Sequence, residues 1–193
     1  MTQSLHNNVS IRLKSGGHSF SSVELDALRG VGKPVEVVLL TAKTTLVPAE
    51  FFDVAHAADY LANVGLAASV DEVVVTSKPV DGVVAVMAIT GRTLADLQSI
   101  ATEVVFTSPL LAEQRVEQGS VLSLEDDLLY VSVYGDGLRF AEVMEIKSDA
   151  DILYYLTVID EVYAIFNMSA HAKGDAARLQ RLCKQIFKNL ICE

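Results

Sequence analysis

Two glycine-rich stretches carry the residue types that phosphate binding uses. One is Ser15-Gly16-Gly17-His18-Ser19; the other is Gly135-Asp136-Gly137. Glycine lets backbone N–H groups close on an anion, and Asp136 adds a carboxylate that a divalent cation accepts. Ser15, Gly16, Gly17, Gly135, Asp136 and Gly137 are therefore the candidate ligand-binding residues. The first stretch is not followed by a Lys-Ser/Thr pair opening a helix, so it is no Walker A loop. Tight hairpins select the same residues on conformational grounds alone. Both readings stay open from sequence.

Other chemistry is harder to assemble. His6, His18, His56 and His171 are too far apart for a local metal signature. Cys183 and Cys192 lack zinc-ligand spacing and read as reduced thiols. Glu125-Asp126-Asp127 reads as a solvated acidic loop, with no second ligand set near it for a metal. The motifs GxSxG, HExxH, CxxC and GxGxxG are missing. No catalytic residue and no metal ligand is assigned.

The elements that must position these turns follow from hydrophobic period. Val9, Ile11 and Leu13 alternate with polar residues as in a half-buried strand, and Ser19 to Val23 reads as its returning arm. Val35 to Thr41 is a β-branched run suited to a buried strand. Pro48 reads as the first turn of a helix carrying Phe51, Phe52, Val54, Ala55, Ala58 and Leu61, stopped by Asn63 and Gly65. Val73–Thr76 and Val83–Ile89 read as strands split by a turn at Lys78-Pro79-Val80-Asp81-Gly82. Thr90 caps a helix over about 92–102, Val104–Thr107 is a short strand, and Ser108-Pro109 starts another helix.

Gly119 to Asp127 is polar and reads as the seam between two lobes, 1–119 and a smaller 120–193. Leu129, Val131 and Val133, then Phe140, Glu142 and Met144, alternate on either side of Gly135-Asp136-Gly137 as a hairpin. Ser148 to Asp151 caps a helix with the stripe Leu153, Leu156, Ile159 and Tyr163. Residues 149–166 fit one continuous helix, or a shorter helix followed by a strand at 162–166. A last helix spans about 175–188, and Leu190–Cys192 is a short closing strand.

Composition bounds the rest. The chain has 193 residues, 51% of them hydrophobic, and a net charge of −10. That charge opposes nucleic-acid binding, which needs clustered Lys and Arg; the basic residues gather only in Lys173, Arg178, Arg181, Lys184 and Lys188. No apolar run spans a bilayer and no secretory signal opens the chain, so the expected compartment is the cytoplasm.

Ser10-Ile11-Arg12-Leu13 running into Gly17-His18-Ser19-Phe20-Ser21 resembles the opening of a Bacteroidetes family of unknown function. Val37–Leu40, Leu46–Phe52 and Asp149–Leu156 resemble it in the same order. The resemblance implies an α/β architecture: two degenerate RNase H-like lobes of the actin-like ATPase fold, the second one trimmed. It also implies a strand at 162–168. Active members of that superfamily carry an Asp in the first hairpin strand, where this chain has Ile11-Arg12-Leu13-Lys14, and Asp136 lies in a turn. The expectation is a non-catalytic interaction or scaffold protein with a protein partner or a homodimer. The competing expectation is a nucleotide or phosphometabolite binder, a weak ATPase using ATP and Mg²⁺.

Overall fold

The computed structural model describes residues 9–14, 34–112 and 116–192. Ser15, Gly16, Gly17 and the arm Ser19–Val23 lie outside the described residues. The chain divides into two compact units, Met1–Ser108 and Pro109–Glu193.

In the first unit, β1 (Val9–Lys14), β2 (Val35–Leu40) and β6 (Val104–Thr107) form a parallel sheet in the order β1-β2-β6. β2 is paired on both sides, and Val35, Val37, Val38, Leu39 and Leu40 are all buried. A near-continuous apolar run suits that environment. A second sheet has the order β3-β5-β4, antiparallel throughout, from β3 (Thr44–Pro48), β4 (Glu72–Thr76) and β5 (Val83–Thr90). Its central strand buries every residue from Val84 to Ile89. Lys43, just before β3, donates to Glu72 of β4 across β5 and to Ser69 Oγ at 2.9 Å. Burial alone would raise the Glu72 carboxyl, but the bonds from Lys43 and Ser69 outweigh it and hold it below its ordinary range.

The helix expected from Pro48 starts later. Pro48 ends the edge strand β3, a place that needs no N–H donor, and the β-branched Thr44, Thr45 and Val47 complete the pairing with β5. Asp53 then caps a 3-10 turn, Val54–His56, its Oδ1 accepting the Ala55 N–H at 2.9 Å. Helix α1 follows at Ala57–Asn63. Phe51 and Val54, expected on an inward face, are exposed, while Leu61 packs against Val47, Val86 and Ala88. Helix α2 (Gly91–Ile100) begins at Thr90 as expected, with the Thr90 side chain accepting the Thr93 N–H.

The second unit starts with the short helix α3 (Pro109–Ala112). The stretch 119–127 is no seam. It holds β7 (Gly119–Glu125), a strand buried from Gly119 to Leu124. β8 (Leu128–Tyr134) and β9 (Leu138–Glu145) continue an antiparallel meander, and the Gly135–Gly137 turn joins them as the alternation predicts. Helix α4 (Asp149–Tyr163) then crosses to β10 (Ser169–Gly174), and helix α5 (Ala176–Cys183) to β11 (Asn189–Cys192). β10 is parallel to both β7 and β11, so the sheet order is β11-β10-β7-β8-β9. Parallel neighbours need such crossovers.

The 149–166 ambiguity resolves against both alternatives. α4 stops at Tyr163 because Ala164 turns left-handed (φ 53°), its N–H bonded to Asp160 O at 2.8 Å. Asp160 Oδ1 also accepts the Phe166 N–H at 2.8 Å, and 165–167 is a 3-10 turn. The strand implied at 162–168 forms instead at Ser169–Gly174. The core between sheet and helices joins Leu122, Leu124, Leu129, Val131, Ile152, Leu156, Leu179 and Phe187. Leu156 is fully buried there. Leu156→Ala is expected to cost about 2–5 kcal/mol in urea denaturation with the fold retained.

Candidate functional site

The strand directions bring five segments of the second unit to one end of its sheet. β7 and β9 both run toward the turn Asp126-Asp127, and Leu128 is paired with Glu125 on one side and Glu145 on the other. Ile146 N–H bonds to Asp127 O at 2.7 Å. β10 runs the same way, with Gly174 beside Leu124. The starts of α4 and α5 therefore flank the 125–127 turn. In open α/β sheets the carboxyl ends of the strands, with helix N-termini beside them, are the usual ligand-binding place.

Close backbone approach holds this end together. A Cβ on Gly174 (φ 66°) would lie 2.2 Å from Leu124 O. At the other end of the same strand pair, a Cβ on Gly119 (φ 126°) would lie 2.3 Å from Ser169 O. Asp175 N–H donates to Leu124 O at 2.8 Å, which continues the contact past the strand. Only glycine fits the two positions.

The chain's own carboxylates occupy the anion-binding groups here. Asp175 Oδ1 accepts the Arg178 N–H at 3.0 Å and caps α5. Arg178 Nε and Nη2 both reach Asp149 Oδ1 at 2.7 Å, and Arg181 Nη2 reaches Asp149 Oδ2 at 3.1 Å. These bonds, led by Arg178, hold the Asp149 carboxyl below its ordinary range. At the start of α4, Asp151 Oδ2 accepts the N–H groups of Lys147 (2.8 Å) and Ser148 (2.7 Å) and the Ser148 hydroxyl (3.1 Å). The two backbone bonds lower its carboxyl as well. Two of the five basic residues grouped near the C-terminus thus clasp an internal carboxylate. Sequence reasoning noted Asp149 only as a helix-start acid; its meeting with Arg178 is 29 residues away along the chain and leaves no local signal.

The sequence-derived candidates lie elsewhere. Gly135, Asp136 and Gly137 sit at the opposite end of the sheet, where Tyr134 pairs with Gly119 and Leu138. With Gln118, Leu138 and Arg139 they line an open depression of about 540 Å³. Gly135 N–H donates to Gly137 O at 2.9 Å, so one amide of the turn is already used. The Arg139 guanidinium lies 5.9 Å from the Tyr163 ring centroid. Among the described residues, no group of three or more His, Cys, Asp or Glu side chains has the geometry to hold a metal ion. No helix among them is long and apolar enough to cross a membrane.

The two thiols differ. Cys183, the last residue of α5, is fully buried, and burial pushes its pKa up to about 11. Cys192 is exposed on β11.

With this geometry in place, the fold is recognisable among solved structures. The chain superposes on a Bacteroides thetaiotaomicron protein described as having an actin-like ATPase fold and unknown function, with a TM-score of 0.70 and 19% identity over 83% of this chain and 68% of that one. The chain has the actin-like ATPase fold. A weaker match, at a TM-score of 0.46 and 17% identity over 84% of this chain and 80% of that one, is the cytoplasmic domain of EpsL, an inner membrane component of the type II secretion system of Vibrio cholerae. No family model and no curated protein matches the chain.

Two outcomes follow. The lowered Asp149 and Asp151 carboxyls stabilise the fold above their unfolded pKa. That contribution is lost as pH falls below about 4 and through the lower folded values. Denaturant titrations from neutral to acid pH should show this loss, and Asp149→Asn should flatten it. Thiol titration of the native protein at pH 8 should find Cys192 reactive and Cys183 silent until denaturant is added.

Proposed function

We propose that this protein is a non-catalytic member of the actin-like fold that works through protein contacts, as an interaction or scaffold component. Its two units are read as degenerate RNase H-like lobes, the second one trimmed. The order β11-β10-β7-β8-β9, a meander followed by two helix-linked parallel strands, supports that reading for the second unit.

The observation that carries the functional proposal is the occupancy of the second unit's anion-binding groups by its own carboxylates. Asp175 caps α5 and Asp149 takes both arginines. A phosphate arriving at this end would have to displace an internal charge-assisted pair and would meet Glu125, Asp126 and Asp127. The same neutralisation of Arg178 and Arg181, with a net charge of −10, argues against nucleic acid as partner. A cytoplasmic setting, with a distinct protein or a second copy as partner, belongs to this reading.

One observation favours the competing reading, a nucleotide or phosphometabolite binder. The depression at Gly135–Arg139 presents turn backbone and a guanidinium at one place. Thermal unfolding with ATP or ADP, with and without Mg²⁺, decides between them. The interaction reading expects no shift at millimolar nucleotide. A ligand at about 100 times its dissociation constant stabilises by about 2.7 kcal/mol, so a magnesium-dependent rise of that size would overturn it.

A further inference from the structure

Helix α4 is apolar on both sides. Ile152, Leu156 and Ile159 enter the core. On the outer side Ala150, Tyr154, Val158 and Val162 follow one another at intervals of four, a single continuous ridge. Tyr154 is 65% exposed, Val158 43% and Val162 69%. At 1.5 Å per residue the ridge is about 18 Å long. It stands on a fixed base: the helix is capped at both ends, and the Tyr154 ring packs edge-on against Tyr155 at 5.5 Å. The Thr157 hydroxyl is turned back to Leu153 O at 2.7 Å. An ordered apolar ridge of this kind, with an aromatic anchor, is what a packed helix contact uses.

Charge decides the occupant. All ionisable carboxyl and basic side chains of Asp149–Tyr163 are acids: Asp149, Asp151, Asp160 and Glu161. Asp149 is neutralised by Arg178 and Arg181. Asp151 and Glu161 lie among the ridge residues on the helical wheel, one near each end. A second copy laid parallel on this ridge would set Glu161 against Glu161, with Lys147 beside Asp151 at the other end. An anionic lipid surface would be repelled in the same way.

We propose that the outer ridge of α4 is a docking surface for an amphipathic helix of another protein, with apolar residues at matching intervals and Lys or Arg along their flanks. Ridge-into-groove packing centred on Tyr154 and Val158 supplies the contact, and a flanking base meets Glu161. This rests on the interaction reading above and names its partner class.

The test uses the full chain and two synthetic helical peptides of about 18 residues. Both carry Leu at every fourth position; one is flanked by Lys, the other by Glu. Fluorescence anisotropy is expected to show binding of the Lys peptide only, weakening as salt rises. Val158→Gln with Val162→Gln should lower that affinity by about tenfold or more while circular dichroism stays unchanged, since both side chains face outward. Glu161→Lys should weaken the Lys peptide and admit the Glu peptide. Equal binding of both peptides, or binding indifferent to the double substitution, would overturn the ridge assignment. Sedimentation showing a dimer that Val158→Glu dissolves would overturn the partner class in favour of a second copy, yet leave the interaction reading standing. A monomer that binds neither peptide overturns the proposal, and magnesium-dependent stabilisation by ATP in the same preparation would remove the interaction reading with it.

Discussion

The parallel pairing of β10 with β7 is the constraint on which the second unit depends. Together with the parallel pairing of β10 and β11 it requires two helical crossovers, because neither neighbour of β10 can be reached by a tight turn. It sends the starts of α4 and α5 to the same end of the sheet, where Asp149 meets Arg178 and Arg181. The pairing itself needs two glycines. Gly119 admits Ser169 O at one end and Gly174 admits Leu124 O at the other, at separations that a Cβ would block. Remove either, and the distance between the strands that carry the helices must change.

That geometry gives the helix starts at this end partners from the chain itself. Helix N-termini and paired arginines are costly to leave unpartnered, and here carboxylates of the same chain satisfy them. Asp175, Asp151 and Asp149 serve as built-in anions. The chemistry of the end is thereby spent on holding α4 and α5 in place. The held helix α4 then offers its outer ridge. An apolar surface is useful for recognition when it is rigid before binding, because little further entropy is lost on contact.

Legibility from sequence varied with the kind of signal. The β8–β9 hairpin was readable because both strands alternate cleanly and its turn is Gly-Asp-Gly. The Thr90 and Ser148 helix starts were readable because a cap is a local bond between near neighbours. β10 was missed: Ser-Ala-His-Ala-Lys-Gly has no large apolar residue, although Ala170 and Ala172 are fully buried. Small side chains are what a strand wedged between two parallel neighbours and packed against α5 and the 165–167 turn has room for. β7 was misread as a seam because Gly119, Ser120 and Ser123 look polar, yet all are buried. Pro48 was read as a helix start when it ends an edge strand, since proline's missing donor fits both places.

The sequence by itself determined the fold class, the hydrophobic periods and the local caps and turns, because these depend on residues within a few positions of one another. It also determined the acidic charge and the family resemblance that pointed to the actin-like fold. Only the tertiary structure decided which ends of the strands meet. It put the Gly135–Gly137 turn at the end of the sheet away from the helix starts, and it joined Asp149 to arginines 29 and 32 residues away. Contacts of that range are set by strand order and direction, which a period of two or of 3.6 does not encode.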